Sequence, residues 1–243
     1  MNEILELEGV RKSFGGLVAL NNIQLSVKEG EIHGLIGPNG SGKTTLLNVI
    51  SGLHEIDAGR IELEGKRIDG LPPNQITQMG IGRTFQIAKP FMKMTVLENL
   101  LVPGFAKPNN RSRVEIMKRA LELLEFSNLM RLKDEKASHL SGGQQKILEC
   151  LRAFMTEPKV MLVDEPFAGF HPDMQKEMSK TLESMCTGGL SVLIISHDIP
   201  SVMTLCDTIS VLVAGEIIET GVPEQIRGSE KVVEAYLGSG KHA

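Results

Sequence analysis

The sequence predicts an α/β protein whose core is a mostly parallel sheet, with a small antiparallel β layer at the N-terminus and an inserted helical lobe. Three observations predict it. Short, uniformly apolar segments recur along the chain, as strands buried on both faces require. Helical periodicities separate them, which is the pattern of a doubly wound sheet. The N-terminal segments instead alternate apolar and polar residues, the mark of strands with one wet face.

In chain order, Ile4-Leu5-Glu6-Leu7-Glu8 and Ile23-Gln24-Leu25-Ser26-Val27 alternate and end in turn signals at Gly9 and Glu29-Gly30. Residues 60–68 continue that pattern, so three strands make the antiparallel layer. His33-Gly34-Leu35-Ile36, Val160-Met161-Leu162-Val163 and Val192-Leu193-Ile194-Ile195 are the uniformly apolar strands, with a further short one over residues 81–85. Val114, Met117, Leu121 and Leu124 make one helical stripe; Met174, Met178, Leu182 and Met185 make another, read as core packing. From about residue 90 to 135 the chain is mostly helical without such a strand. With the capped helix described below, the inserted lobe runs over about residues 90–156 and leaves about 1–89 and 157–243 as the sheet domain. No internal repeat or low-complexity tract interrupts this plan, and the small polar tail at 238–243 reads as a frayed end.

Composition narrows the function classes. With 243 residues the chain builds one large α/β domain with an attached lobe. A formal net charge of −4 gives no basic footprint for nucleic acid. Cys150, Cys186 and Cys206 lie far apart without metal-ligand spacing, so they read as buried free thiols of a reducing compartment. Residues 1–9 lack the cationic and apolar blocks of a secretory signal. The apolar runs at 160–163, 192–195 and 211–214 are far shorter than the roughly 20 residues a membrane span needs, so membrane association must come through a partner.

Gly37-Pro38-Asn39-Gly40-Ser41-Gly42-Lys43-Thr44 fits G-x-x-x-x-G-K-[ST] at every fixed position, between an apolar strand and a helix starting near Gly42 that buries Leu46, Leu47, Val49 and Ile50. The sheet domain is thus a P-loop NTPase core that binds Mg²⁺·ATP through residues 37–45, Thr45 included, and hydrolyses it. Glycines let backbone N–H groups curl around phosphate oxygens, and the helix points its positive end at the same charge. Lys43 belongs against the β- and γ-phosphates, and the Thr44 hydroxyl on Mg²⁺.

Residues 160–163 end in Asp164-Glu165, so two carboxylates leave the carboxyl end of a buried strand, where open parallel sheets hold ligands. Asp164 is placed to hold Mg²⁺ through water. Glu165, one residue nearer solvent, is placed to polarise an attacking water. His197 leaves the same sheet edge and is a hydrogen-bond donor to developing γ-phosphate charge. Gln86 follows the strand at 81–85 and can ligate Mg²⁺ or water through its amide oxygen.

Leu140-Ser141-Gly142-Gly143-Gln144-Gln145 starts another helix, with Ser141 as N-cap and Ile147, Leu148, Leu151 and Phe154 as its apolar stripe. A simple cap accounts for Ser141 but not for the two glycines after it; exposed N–H groups there make a second anion site.

The order P-loop, Gln86, Leu-Ser-Gly-Gly-Gln, Asp164-Glu165 and His197 resembles the ATPase subunit of ATP-binding-cassette (ABC) transporters over nearly the whole chain. The resemblance implies a head-to-tail dimer, with an identical or a sister ATPase, in which Ser141, Gly142, Gly143 and Gln144 of one subunit meet the ATP held by Lys43 of the other. It implies that Phe14 stacks on adenine and that the segment around Gln86 couples to integral permease subunits, placing the chain in the cytoplasm on the inner membrane face. Arg83-Thr84-Phe85-Gln86, Met94-Thr95-Val96-Leu97-Glu98-Asn99-Leu100 and the tail Val232-Val233-Glu234-Ala235-Tyr236-Leu237-Gly238 are similar to branched-chain amino acid importer ATPases. Glu165-Pro166-Phe167-Ala168-Gly169 also resembles lipopolysaccharide exporters, and urea importers share much of the pattern. The other classes are a soluble ABC ATPase of a cytosolic complex, such as iron–sulfur assembly or DNA repair, and a nucleotide-binding module without hydrolysis. The absence of long heptads argues against the repair version, and the presence of Glu165 and His197 against the module.

One departure from the family pattern matters: His171 replaces an Asp in Phe170-His171-Pro172. Lys146 after Gln145, where Arg is common, is a minor change. Phe91, Met92 and Met94 are either a docking surface for a partner helix or core of the helical lobe.

Overall fold

The computed structural model describes residues 2–84, 90–106, 111–168 and 171–238. Among these residues the antiparallel sheet runs β2-β1-β4-β5, from β1 (Glu3–Phe14), β2 (Leu17–Lys28), β4 (Ala58–Leu63) and β5 (Lys66–Arg67). The second sheet runs β10-β9-β3-β8-β7-β6, from β3 (Ile32–Ile36), β6 (Ile81–Arg83), β7 (Val160–Asp164), β8 (Ser191–Ile195), β9 (Thr208–Val213) and β10 (Glu216–Gly221). Its pairs are parallel except β9 with the edge strand β10.

The antiparallel layer departs from the sequence reading in two places. Gly9 does not end the first strand. It takes φ +61° in a bulge between Leu7 and Val10, and the strand continues to Phe14. Residues 60–68 are not one strand but a hairpin, turned at Glu64 and Gly65 with φ +51° and +69°.

The central strands β3, β7 and β8 are buried along their whole length because both faces are covered. Alternate residues serve different cores. Leu35, Leu162, Leu193 and Leu212 face the antiparallel sheet and helix α1 (Lys43–Ile50). Met161, Val163, Val192 and Ile194 face the other helices.

Helix α2 (Pro73–Met79) precedes β6, and α3 (Val96–Ala106), α4 (Arg113–Phe126) and α5 (Gly142–Phe154) lie between β6 and β7. The remaining helices are α6 (Pro172–Thr187), α7 (Ile199–Leu205), α8 (Pro223–Gly228) and α9 (Glu230–Gly238). The apolar faces of α3, α4 and α5 share one continuous core with the parallel sheet. On α4 the stripe is out of phase with the sequence reading: Ile116, Ala120, Leu123 and Leu124 are buried, whereas Val114 is 76% exposed. Packing sets the phase, because Gly104 of α3 leaves room for Ile116; a Cβ at 104 would lie 2.6 Å from its methyl. On α6, Met178 and Leu182 are buried and Met174 and Met185 pack against the core. All three cysteines are buried free thiols, and desolvation pushes Cys150 and Cys186 up to about 12. No helix among the described residues is long and apolar enough to cross a membrane.

Candidate active site

The phosphate loop leaves β3 at Ile36 and enters α1 at Lys43. Its glycines are demanded by space. A Cβ on Gly37 would sit 2.0 Å from the Leu212 carbonyl oxygen, and one on Gly42, at φ +108°, 2.5 Å from that of Ala19. The loop is therefore pressed onto β9 and β2, while Gly40 has open space around it. Lys43 Nζ donates to the carbonyls of Gly37 (2.7 Å) and Pro38 (2.9 Å). Burial pushes its pKa down, and the carboxylates of Glu165 and Asp164 oppose that shift. Among the described residues Ser41 Oγ is buried without a hydrogen-bond partner, so a polar group is held ready inside the loop.

Asp164 ends β7. Its backbone N–H donates to Thr84 Oγ1 (3.2 Å), and burial raises its carboxyl pKa against the attraction of Arg83. Glu165 is as buried as Asp164 rather than nearer solvent, because the chain turns back at φ +50° instead of continuing outward. Its N–H donates to Ile195 O (2.8 Å), and its carbonyl accepts from Lys146 Nζ (2.5 Å). Its Oε2 accepts from the His197 backbone N–H (3.2 Å) and lies 2.8 Å from His197 Nδ1. The imidazole is 66% exposed, so one end of the pair faces solvent.

Asn39, Gly40, Ser41, Gly42, Lys43, Thr44 and Thr45 line a cleft of about 540 Å³ together with Phe14, Asp164 and Glu165. Phe14 is 43% exposed at the β1 end, edge-on to His54 at 5.2 Å. The loop's open backbone, the Ser41 hydroxyl, the ammonium, and Thr44 lining the same cleft as two buried carboxylates fit a nucleoside triphosphate with Mg²⁺.

The Leu-Ser-Gly-Gly-Gln turn lies elsewhere and lines no part of this cleft. Ser141 Oγ accepts from the Gln144 N–H (3.3 Å) and Gln144 Oε1 from the Ser141 N–H (2.9 Å), a capping box that uses both side chains within the turn. Ser141 and Gly142 are exposed. Gln86 lies outside the described residues. His171 is exposed, 3.4 Å from Asp173.

Sequence reasoning missed several neighbours of the site. Leu17 and Val18, an exposed apolar pair after Gly15-Gly16, line the cleft, and that pattern was a usable signal. Lys146 on Glu165 had no such signal. Nor had Tyr236 of α9, whose phenol burial pushes up to about 12 while the Gly37 backbone opposes it.

Comparison with known proteins identifies the family and the fold. A family model described as ABC transporter matches residues 20–168, and one described as branched-chain amino acid ATP-binding cassette transporter matches residues 216–242. The probable branched-chain amino acid transport ATP-binding protein LivG of Archaeoglobus fulgidus is 42% identical, over 98% of this chain and 96% of its own. A solved ATP-binding cassette of an ABC transporter in its ADP conformation superposes with TM-score 0.90 at 38% identity, covering 98% of this chain and all (100%) of that one. A dimeric cassette in a post-hydrolysis state, bound to ADP and Pi, gives TM-score 0.80 at 30% identity over 90% of this chain and 99% of that one. The chain belongs to the ABC transporter family and is one of its ATP-hydrolysing cassettes.

Proposed function

We propose that this cassette hydrolyses Mg²⁺·ATP to power a branched-chain amino acid importer, as one of two ATPase subunits docked on the inner face of membrane permease subunits. The catalytic half of the reading rests on one observation: two buried carboxylates and the phosphate loop share one cleft. The transport half rests on the likeness of residues 216–242 to the branched-chain amino acid cassettes and on the similarity to LivG.

In this reading Phe14 carries the adenine, and residues 37–45 hold the phosphates with backbone N–H groups. Lys43 exchanges the carbonyls of Gly37 and Pro38 for β- and γ-phosphate oxygens. Mg²⁺, when bound, would neutralise phosphate charge, held by Thr44 and by Asp164 through water, with Gln86 completing the set. Glu165 orients the attacking water and draws off its proton as the bond from the γ-phosphorus to ADP breaks.

His197 has two tasks that compete. With Nδ1–H on Glu165, a neutral ring has only an acceptor left at Nε2. To donate to the γ-phosphate while neutral it must release Glu165, which frees that carboxylate for water. Ser141, Gly142, Gly143 and Gln144 supply their backbone to the ATP of the partner cassette, and the helical region around residues 90–156 moves as a lobe with the permease. Because ATP makes contacts across the dimer that ADP lacks, hydrolysis favours opening.

The test is uptake by membrane vesicles from cells lacking this chain. Labelled leucine uptake should be lost and restored by the wild-type chain, with urea uptake unaffected. Normal leucine uptake in those vesicles would overturn the assignment.

A further inference from the structure

The helix that carries the Leu-Ser-Gly-Gly-Gln turn also reaches its own cassette's acidic turn. Lys146 of α5 is 7% exposed, and its Nζ donates to the main-chain carbonyl of Glu165 at 2.5 Å. That carbonyl otherwise accepts from the Ala168 N–H at a longer 3.4 Å. Glu165 is the residue that needs holding, because φ +50° places it in the left-handed region that side chains disfavour. One side of its main chain is fixed by the Ile195 carbonyl and the other by the Lys146 ammonium. Between them these contacts set where the Cα–Cβ bond points, and so where the carboxylate sits relative to His197 and the cleft.

We infer that Lys146 is a positioning residue for ATP hydrolysis: through the main chain of Glu165 it ties the aim of that carboxylate to the start of α5. The inference rests on the reading of Glu165 as the group that polarises water. It gives α5 a task at each of two sites. The N-terminus of the helix serves the partner's ATP, and Lys146, one turn along, serves its own cassette's hydrolysis. Docking of the turn on a partner's γ-phosphate therefore moves the support under Glu165, and each site senses closure of the other.

Lys146→Met keeps the apolar stem and removes the ammonium, while Lys146→Arg keeps the charge. The measurements are kcat and KM for ATP, ATP affinity, and Tm. Losing a hydrogen bond from a charged donor should lower kcat by about 10- to 100-fold in the Met variant, with ATP affinity within about twofold. The Arg variant should recover kcat to within about threefold. Added to Glu165→Gln, Lys146→Met should cost nothing more in single-turnover hydrolysis, because it acts through that side chain. A Met variant with wild-type kcat overturns the inference, and so does one in which Tm, affinity and kcat fall together. Lys146→Gln reads the same split should the Met variant not fold; if neither folds, the lysine is structural and the inference falls. Wild-type turnover in Glu165→Gln alone would instead remove the reading of Glu165 itself.

Discussion

The phosphate loop and the Leu-Ser-Gly-Gly-Gln turn are both glycine-rich starts of helices, yet the chain treats them in opposite ways. The first is pressed against β2 and β9 so tightly that neither Gly37 nor Gly42 has room for a methyl group. It faces a cleft already furnished with Lys43, Asp164, Glu165 and Phe14. The second is capped by its own side chains and exposed, and nothing lies within 4 Å of where a Cβ on Gly142 would be. Glycine in the first is explained by this chain alone. At Gly142 of the second no described residue requires it, and in the proposed reading the partner's ATP supplies the reason. In the proposed function one turn is a site and the other is half of one.

That contrast gives two substitutions of very different expected size. Gly37→Ala should be the more damaging to the fold, because the new methyl meets a backbone carbonyl that cannot step aside. A loss of about 3 kcal/mol is expected, as for an overpacked core, read as a drop in Tm and a lower denaturant midpoint. Unchanged stability would mean that the loop is looser than its contacts imply. Gly142→Ala should leave Tm unchanged or raise stability by up to about 1 kcal/mol, since alanine suits a helix start and meets nothing. It should still lower steady-state turnover, because in the proposed dimer a methyl at that surface would obstruct the partner's phosphate. Full turnover in this variant would erase the distinction between the two turns.

The same contrast separates what was legible in the sequence from what was not. The P-loop was legible because its chemistry is local: strand, glycines, Lys43 and helix follow one another in a fixed register. The buried strands were legible because two covered faces keep runs such as 160–163 and 192–195 uniformly apolar. What failed depended on distant contacts. Gly9 reads as a stop until Gly59 is seen packed against its backbone, where a Cβ added at residue 59 would fall 2.5 Å from the Gly9 carbonyl. The buried face of α4 was chosen by Gly104 on α3, and periodicity alone offered a second stripe including Val114. Glu165 reads as the more exposed carboxylate until φ +50° turns it inward, and Lys146 reads as a conservative replacement until it is found on the Glu165 carbonyl. The phosphate loop and the two carboxylates of the cleft were legible in the sequence; the supports beneath them were set by tertiary contacts between residues such as 146 and 165.

The central claim is that two cassettes share each ATP. It is tested most directly by the solution mass of Glu165→Gln, which is expected to bind ATP without consuming it, in Mg²⁺·ATP and in Mg²⁺·ADP. The account predicts a dimer with ATP and a monomer with ADP, because only the γ-phosphate reaches the partner's Ser141 and Gly142. A monomer in both nucleotides, with ATP demonstrably bound, would contradict a site shared between two copies of this chain.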